Sequence, residues 1–160
     1  MYNASEANSV SNLEKVKAYC DAKGIKVVES AVTSISDVQT NAQVLVTKTD
    51  AIFVPNDNTV ASAMSALASE ANKAKVPVFV GADSMVMDGG FATVGIDYEE
   101  LGRETARMVD KVLKGTPVEE LPVKVFKENL NVYVNEHVLN TLQITLPDDI
   151  KNNDKLKMIQ

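Results

Sequence analysis

Three short polar clusters carry the side chains best suited to chemistry in this sequence. Asn3, Ser5, Glu6, Asn8 and Ser9 follow the first residues. Asn56, Asp57, Asn58 and Thr59 follow an apolar run at 51–54, and Asp83 and Ser84 follow another at 76–80. Amides, hydroxyls and carboxylates of this kind bind by hydrogen bonding and charge complementarity. Two of the clusters run into helical patterns, where unpaired N–H groups and the positive end of the helix dipole favour an anion. A ligand carboxylate is therefore expected at Asn8 and Ser9 or at Asn58 and Thr59, with Asp57 and Asp83 facing an ammonium group. Together these complement a zwitterion. Each residue taken singly is first of all a cap or turn residue: Ser9, Asn58 and Thr59 are preferred helix caps, and Asn56 with Asp57 is ordinary turn chemistry. The functional reading rests on their convergence.

Catalytic parts are missing. His137 is the only histidine, and no nucleophile stands in a pattern that would pair with it. The sequence has no G-x-S-x-G elbow, P-loop or G-x-G-x-x-G fingerprint. Asp88-Gly89-Gly90 reads as a turn, since no helix opening with Lys-Ser or Lys-Thr follows it. Cys20 is the one cysteine, which leaves no disulfide framework and no metal-ligand spacing, so no metal or cofactor is expected. A net charge of −6, without a block of like charges, argues against nucleic acid as a partner. The apolar runs are interrupted well before the roughly 20 residues needed to span a bilayer. No basic and apolar leader opens the sequence, so no targeting signal is read from it.

The elements that must position the three clusters follow from the hydrophobic pattern. Apolar, β-branched runs at 25–28, 51–54 and 76–80 alternate with helical patterns at 9–23, 36–47 and 59–75, the signature of βα units. The runs are nearly continuous in apolar residues, as for strands covered by helices on both faces. Gly24 stops the first helix; Ser36 or Asp37 can cap the second, and Asn58 or Thr59 the third. Further on, the pattern predicts a strand at 91–94, a long amphipathic helix at 98–114, strands at 123–126 and 131–134, and a short helix at 136–142. A polar tail follows Pro147. The fold class is α/β, a parallel open sheet flanked by helices, of flavodoxin-like type. In such sheets ligands bind outside the carboxyl ends of the strands, where the three clusters lie.

Three segments carry a family resemblance: Tyr2-Asn3-Ala4-Ser5-Glu6-Ala7-Asn8-Ser9, Val54-Pro55-Asn56-Asp57-Asn58-Thr59-Val60, and Ala92-Thr93-Val94-Gly95-Ile96-Asp97-Tyr98-Glu99-Glu100-Leu101-Gly102-Arg103. The sequence resembles the ABC-transporter substrate-binding proteins of type I periplasmic-binding fold, and is most similar to the branch associated with tryptophan and tyrosine. The resemblance implies a non-enzymatic module in which two lobes close around a small amino acid-like ligand and present it to a membrane permease. It places the parent protein at the outer face of the cell membrane or in the periplasm, with a signal peptide and a lipid-anchored cysteine. This chain then corresponds to the carboxyl-terminal lobe (1–84 and 123–146), a crossover segment (85–122) whose helix packs on the other lobe, and a polar tail (147–160).

The family pattern also has a few apolar residues ahead of Tyr2, completing a central strand. By the same resemblance, Ser5, Asn8 and Ser9 match the loop that meets the ligand backbone, and Asp57, Asn58 and Asp83 match the other two ligand-facing loops. None of these loops contains an aromatic residue, so stacking on a ligand ring falls to the other lobe. An uncovered face of the helix at 98–114, with Leu101, Val109 and Val112, predicts self-association of the isolated chain. Two rival readings are a receiver-like signalling module with Asp57 as phosphoacceptor and an enzyme lobe of the same fold. The first wants an acidic pair after the first strand, which Asn3, Ser5 and Glu6 do not supply, and a late lysine, for which Lys124 and Lys127 are poorly placed.

Overall fold

Ile52 and Val54 are buried while Phe53 between them is 41% exposed, and Val78 and Val80 are buried around a Phe79 that is 40% exposed. This two-residue alternation marks strands with one covered face, not the two expected from their unbroken apolar character. A computed structural model describes residues 1–160. The elements run β1 (Tyr2–Asn3), α1 (Ala7–Ala22), β2 (Ala31–Val32), α2 (Ile35–Leu45), β3 (Ile52–Val54), α3 (Asn58–Ala61), α4 (Met64–Lys73), β4 (Val78–Val80) and α5 (Asp83–Met87). They continue with β5 (Ala92–Gly95), α6 (Tyr98–Leu113), β6 (Asn131–Asn135), α7 (Glu136–Leu142), α8 (Asp148–Lys151) and β7 (Leu156–Ile159).

The sheet is mostly parallel. β1 pairs with β2, and β3 to β7 form a five-stranded ladder in sequence order. The Met1 nitrogen donates to the Phe53 carbonyl at 2.9 Å, which sets β1 beside β3. The strands therefore lie in the order β2-β1-β3-β4-β5-β6-β7, whose first five members form the doubly wound pattern with its switch point between β1 and β3. The β5–β6 pair is antiparallel, with Gly95 opposite Asn131. On the covered face, Val38, Ala42, Leu67, Ala68 and Ala71 of α2 and α4 join Ile52, Val54, Val78 and Val80 in one core cluster. A second cluster packs Phe91 and Ala92 with Val132, Val134, Val138 and Leu142.

Several expectations are corrected. Residues 25–28 are not a strand. β2 holds only Ala31 and Val32, and the register that sets Tyr2 opposite Ala31 puts the counterparts of residues 25–29 ahead of Met1. The helix expected at 59–75 is broken between α3 and α4, where the Ser62 hydroxyl donates to the Asn58 carbonyl and competes with the helical ladder. Ser34, not Ser36 or Asp37, caps α2, with Asp37 as its capping-box partner. α5 has five residues, too few to show a period.

Residues 123–126 find no neighbouring strand, and Val123 is 89% exposed. The tail is not featureless either: Leu156–Ile159 pairs in parallel with β6 as an edge strand. α6 matches its prediction closely. It is capped by Asp97, whose carboxylate accepts the N–H groups of Glu99 and Glu100. None of its residues is buried; Val109, Val112 and Leu113 are exposed, and Leu101 is half-buried.

Candidate functional site

β3 ends at Val54, and three residues later the chain must open a helix, so the first N–H groups of α3 need acceptors. Asp57 supplies one as the N-cap: its Oδ1 accepts the Val60 N–H at 2.9 Å. Its Oδ2 accepts the Asn3 N–H at 2.6 Å and the Ser9 hydroxyl at 2.8 Å. Asp57 is 2% exposed and Ser9 is fully buried. These two residues face inward. Asp57 fastens the end of β1, the first turn of α1 and the start of α3 to one another.

Glu6 serves the remaining donors. Its carboxylate accepts the Asn58 N–H at 3.0 Å and the Thr59 N–H at 3.1 Å, together with the Asn58 amide at 3.2 Å and the Thr59 hydroxyl at 3.1 Å. The helix N-terminus expected to take a ligand carboxylate is thus occupied by a carboxylate of the protein itself. The Asn3 amide donates to the Thr59 hydroxyl at 2.7 Å while its carbonyl oxygen accepts the Ser5 N–H at 2.8 Å. The Asn8 amide reaches the Asn56 carbonyl at 2.5 Å.

Nine residues, Asn3, Ser5, Glu6, Asn8, Ser9, Asn56, Asp57, Asn58 and Thr59, therefore form one hydrogen-bonded knot at the carboxyl ends of β1 and β3. The third loop is joined to it sterically. Gly81 lies so close to the second loop that a Cβ there would stand 2.6 Å from the Asn56 nitrogen and 2.9 Å from the Pro55 carbonyl carbon. Asp83 opens α5, with its carboxylate on the Ser84 N–H at 2.8 Å, and makes no hydrogen bond to the knot.

Ser5, Asn8, Asn56, Asn58 and Ser84 are exposed along this edge, with Asp83 half-buried beside them. The sequence reading counted Asn3 and Asn56 in the polar clusters without assigning them a contact, and passed over Gly81, although all three are needed to build the site. A glycine directly after a strand was the available signal for a close approach between loops.

The knot has no nucleophile paired with a base, and no group of three or more His, Cys, Asp or Glu side chains lies close enough to hold a metal ion. No helix is long and apolar enough to cross a membrane. Asp57 as a phosphoacceptor does not fit, since its carboxylate is buried and committed to three donors.

The polar groups are presented at the switch point of an α/β sheet, where ligands bind in folds of this kind. Residues 1–156 match the family model of the ABC transporter substrate binding proteins, and the chain belongs to that family. It is 33% identical over 144 residues to a tyrosine-binding protein of Clostridioides difficile, covering 90% of this chain and 41% of that one. Among solved structures, an ABC domain from Streptococcus pneumoniae in complex with L-Trp superposes with a TM-score of 0.88 at 35% identity, covering 99% of this chain and 53% of that one. A conserved domain protein of Vibrio cholerae superposes with a TM-score of 0.87 at 38% identity, covering 98% and 53%. The chain spans about half or less of the length of these relatives.

Proposed function

We propose that the chain forms one wall of a two-walled cleft that binds an aromatic amino acid for an ABC importer. The observation that carries this is the knot at the carboxyl ends of β1 and β3, which sets an exposed polar edge of Ser5, Asn8, Asn58 and Ser84 beside Asp83. The tyrosine-binding relative and the neighbour holding L-Trp support the ligand class. In this reading Asp57, Ser9, Glu6 and Thr59 hold the loops in place, and the exposed residues meet the amino and carboxylate groups of the ligand. No aromatic side chain stands on the three loops, so the ring is gripped from the opposite wall.

The lobe comprises residues 1–95, since β5 pairs with both β4 and β6, and the strand and helix from residue 131, with β7 on its edge. Residues 96–130 carry α6, whose apolar stripe lacks a partner within the chain and fits the opposite lobe. Ligand bridging both walls favours the closed population, and the closed form is what a membrane permease would receive. The parent protein would work at the outer face of the membrane or in the periplasm.

Calorimetry on the full-length parent with tyrosine, tryptophan, phenylalanine and alanine tests this. Aromatic amino acids should bind at least about tenfold tighter than alanine, and Asn8→Ala or Asp83→Ala should weaken them by about 1–2 kcal/mol, as loss of one ligand hydrogen bond does. Micromolar affinity of this chain alone for any of them would overturn the two-wall account.

A further inference from the structure

Two of the three loops at the polar edge are locked by the knot, but the third, which carries Asp83 and Ser84, makes no hydrogen bond to it. α5, which this loop opens, has only five residues, far below the roughly 12–15 at which a helix holds by itself in water. Its place must come from its neighbours. Burial of Met85 and Val86 keeps it on the sheet, but apolar burial has no direction and does not fix how the helix is turned. One directional contact does: the Asn135 amide, at the end of β6, donates to the Val86 carbonyl at 2.9 Å, across 49 residues of sequence. Asn135 is buried and Val86 fully so. We propose, on the reading that Asp83 and Ser84 face the ligand, that Asn135 is a positioning residue for that edge, which sets where Asp83 and Ser84 stand by holding α5 through Val86.

The place requires an amide. Asn135 Oδ1 accepts the Val138 N–H at 2.9 Å as the N-cap of α7, while Nδ2 on its other side meets a carbonyl and must donate. Aspartate would cap α7 but has no donor, and serine would cap it but is too short to span both partners. The main chain holds this amide still, since the Asn135 N–H donates to the Phe91 carbonyl at 2.9 Å, at the amino end of β5. α5 runs from the carboxyl end of β4 back toward that amino end, over about 7 Å at 1.5 Å per residue. Asn135 thus grips its last turn, and Asp83 and Ser84 sit on its first. A shift at Val86 reaches Asp83, three residues before it, through a single helical turn. The contact also ties the third loop to β6, the strand on which the chain returns from residues 96–130, whereas the knot ties the first two loops to each other.

The test uses the full-length parent and L-tyrosine. Asn135→Ser keeps the α7 cap and removes the bond to Val86. It should weaken tyrosine binding by about tenfold, the effect of misplacing one or two ligand hydrogen bonds. It should also speed amide exchange by about tenfold at Asp88, Gly89 and Gly90, whose acceptors are carbonyls of α5. Exchange at Asn3 and Val60, in the knot, should not change. With Asp83→Ala and Ser84→Ala already in place, Asn135→Ser should weaken binding by less than about twofold, because the groups it positions are gone. Leu142→Ala controls for lost stability: it lies in the other core cluster from Met85 and Val86, and should lower the urea midpoint with neither effect. Unchanged exchange at residues 88–90 or unchanged binding in Asn135→Ser would overturn the proposal, and so would an equal loss of binding in Leu142→Ala. Tyrosine binding that survives Asp83→Ala with Ser84→Ala would refute the ligand-facing reading instead, and the exchange rates would still decide whether Asn135 holds α5.

Discussion

The Asp57 carboxylate accepts the main-chain N–H of Asn3 at 2.6 Å, across 54 residues of sequence, and that bond holds the two central strand ends in register. A buried acceptor with three donors is difficult to replace. Asp57→Ala leaves the N–H groups of Asn3 and Val60 and the Ser9 hydroxyl without it, and each orphaned buried group costs about 1–3 kcal/mol. We expect a loss of about 3 kcal/mol or more in urea unfolding. Asp57→Asn should lose less, because one oxygen still accepts. A loss below about 1 kcal/mol for the alanine variant would show that the knot does not hold the strand ends.

Gly81→Ala tests the close approach between loops. The added Cβ would meet main-chain atoms of Pro55 and Asn56, which cannot swing aside as a side-chain end can. Overpacking of this kind costs about 1–3 kcal/mol. Chemical shifts at Asn56 and Asn58 should move in this variant, while Gly102→Ala, at a position with open space, should leave them unchanged.

In the chain that starts at Met1, the terminal ammonium is buried. Burial pushes its pKa from 8.0 down to about 6, with the charge of Asp57 opposing the shift. Unfolded chains hold that proton up to about pH 8, whereas the folded chain releases it near pH 6. Stability therefore rises as pH goes from 6 to 8, by about 3 kcal/mol from this group, and the full penalty is present below pH 6. Urea titrations of the free and Nα-acetylated chains across this range check it. The difference between the two slopes should vanish outside the window.

The uncovered stripe of α6 predicts association of the isolated chain. Val109, Val112 and Leu113 lie exposed on a helix that buries none of its residues. Sedimentation velocity should show mass increasing with concentration, and Val109→Glu with Val112→Glu should shift the population to monomer. A chain that stays monomeric at every concentration would count against an apolar docking face on α6.

How far the sequence could be read depended on what each element leans on. α1, α6 and α7 were legible because their periodicity and caps are local, and the strand cores at 52–54 and 78–80 because β-branched runs need little context. Residues 25–28 and 123–126 are rich in β-branched residues too, but a lysine interrupts each (Lys26 and Lys124), and such runs become strands only where a neighbour offers a ladder, which here none does. The polar clusters do lie together at the carboxyl ends of the strands, but their internal order was hidden. Which carboxylate caps α3 and which joins the loops depends on contacts between residues about fifty positions apart, as for Glu6 with Asn58 and Asp57 with Asn3. Preferences of single residues cannot rank such contacts.

Gly95 and Asn131 face each other across the antiparallel pair of β5 and β6. Residues 96–130, α6 included, therefore leave the sheet and come back to it at neighbouring points about 5 Å apart. Through the backbone, whatever docks on that excursion is joined to the sheet at this one doorway. Because β3, β4 and β5 run parallel, that doorway opens on the same carboxyl edge of the sheet as the knot that ties β1 to β3.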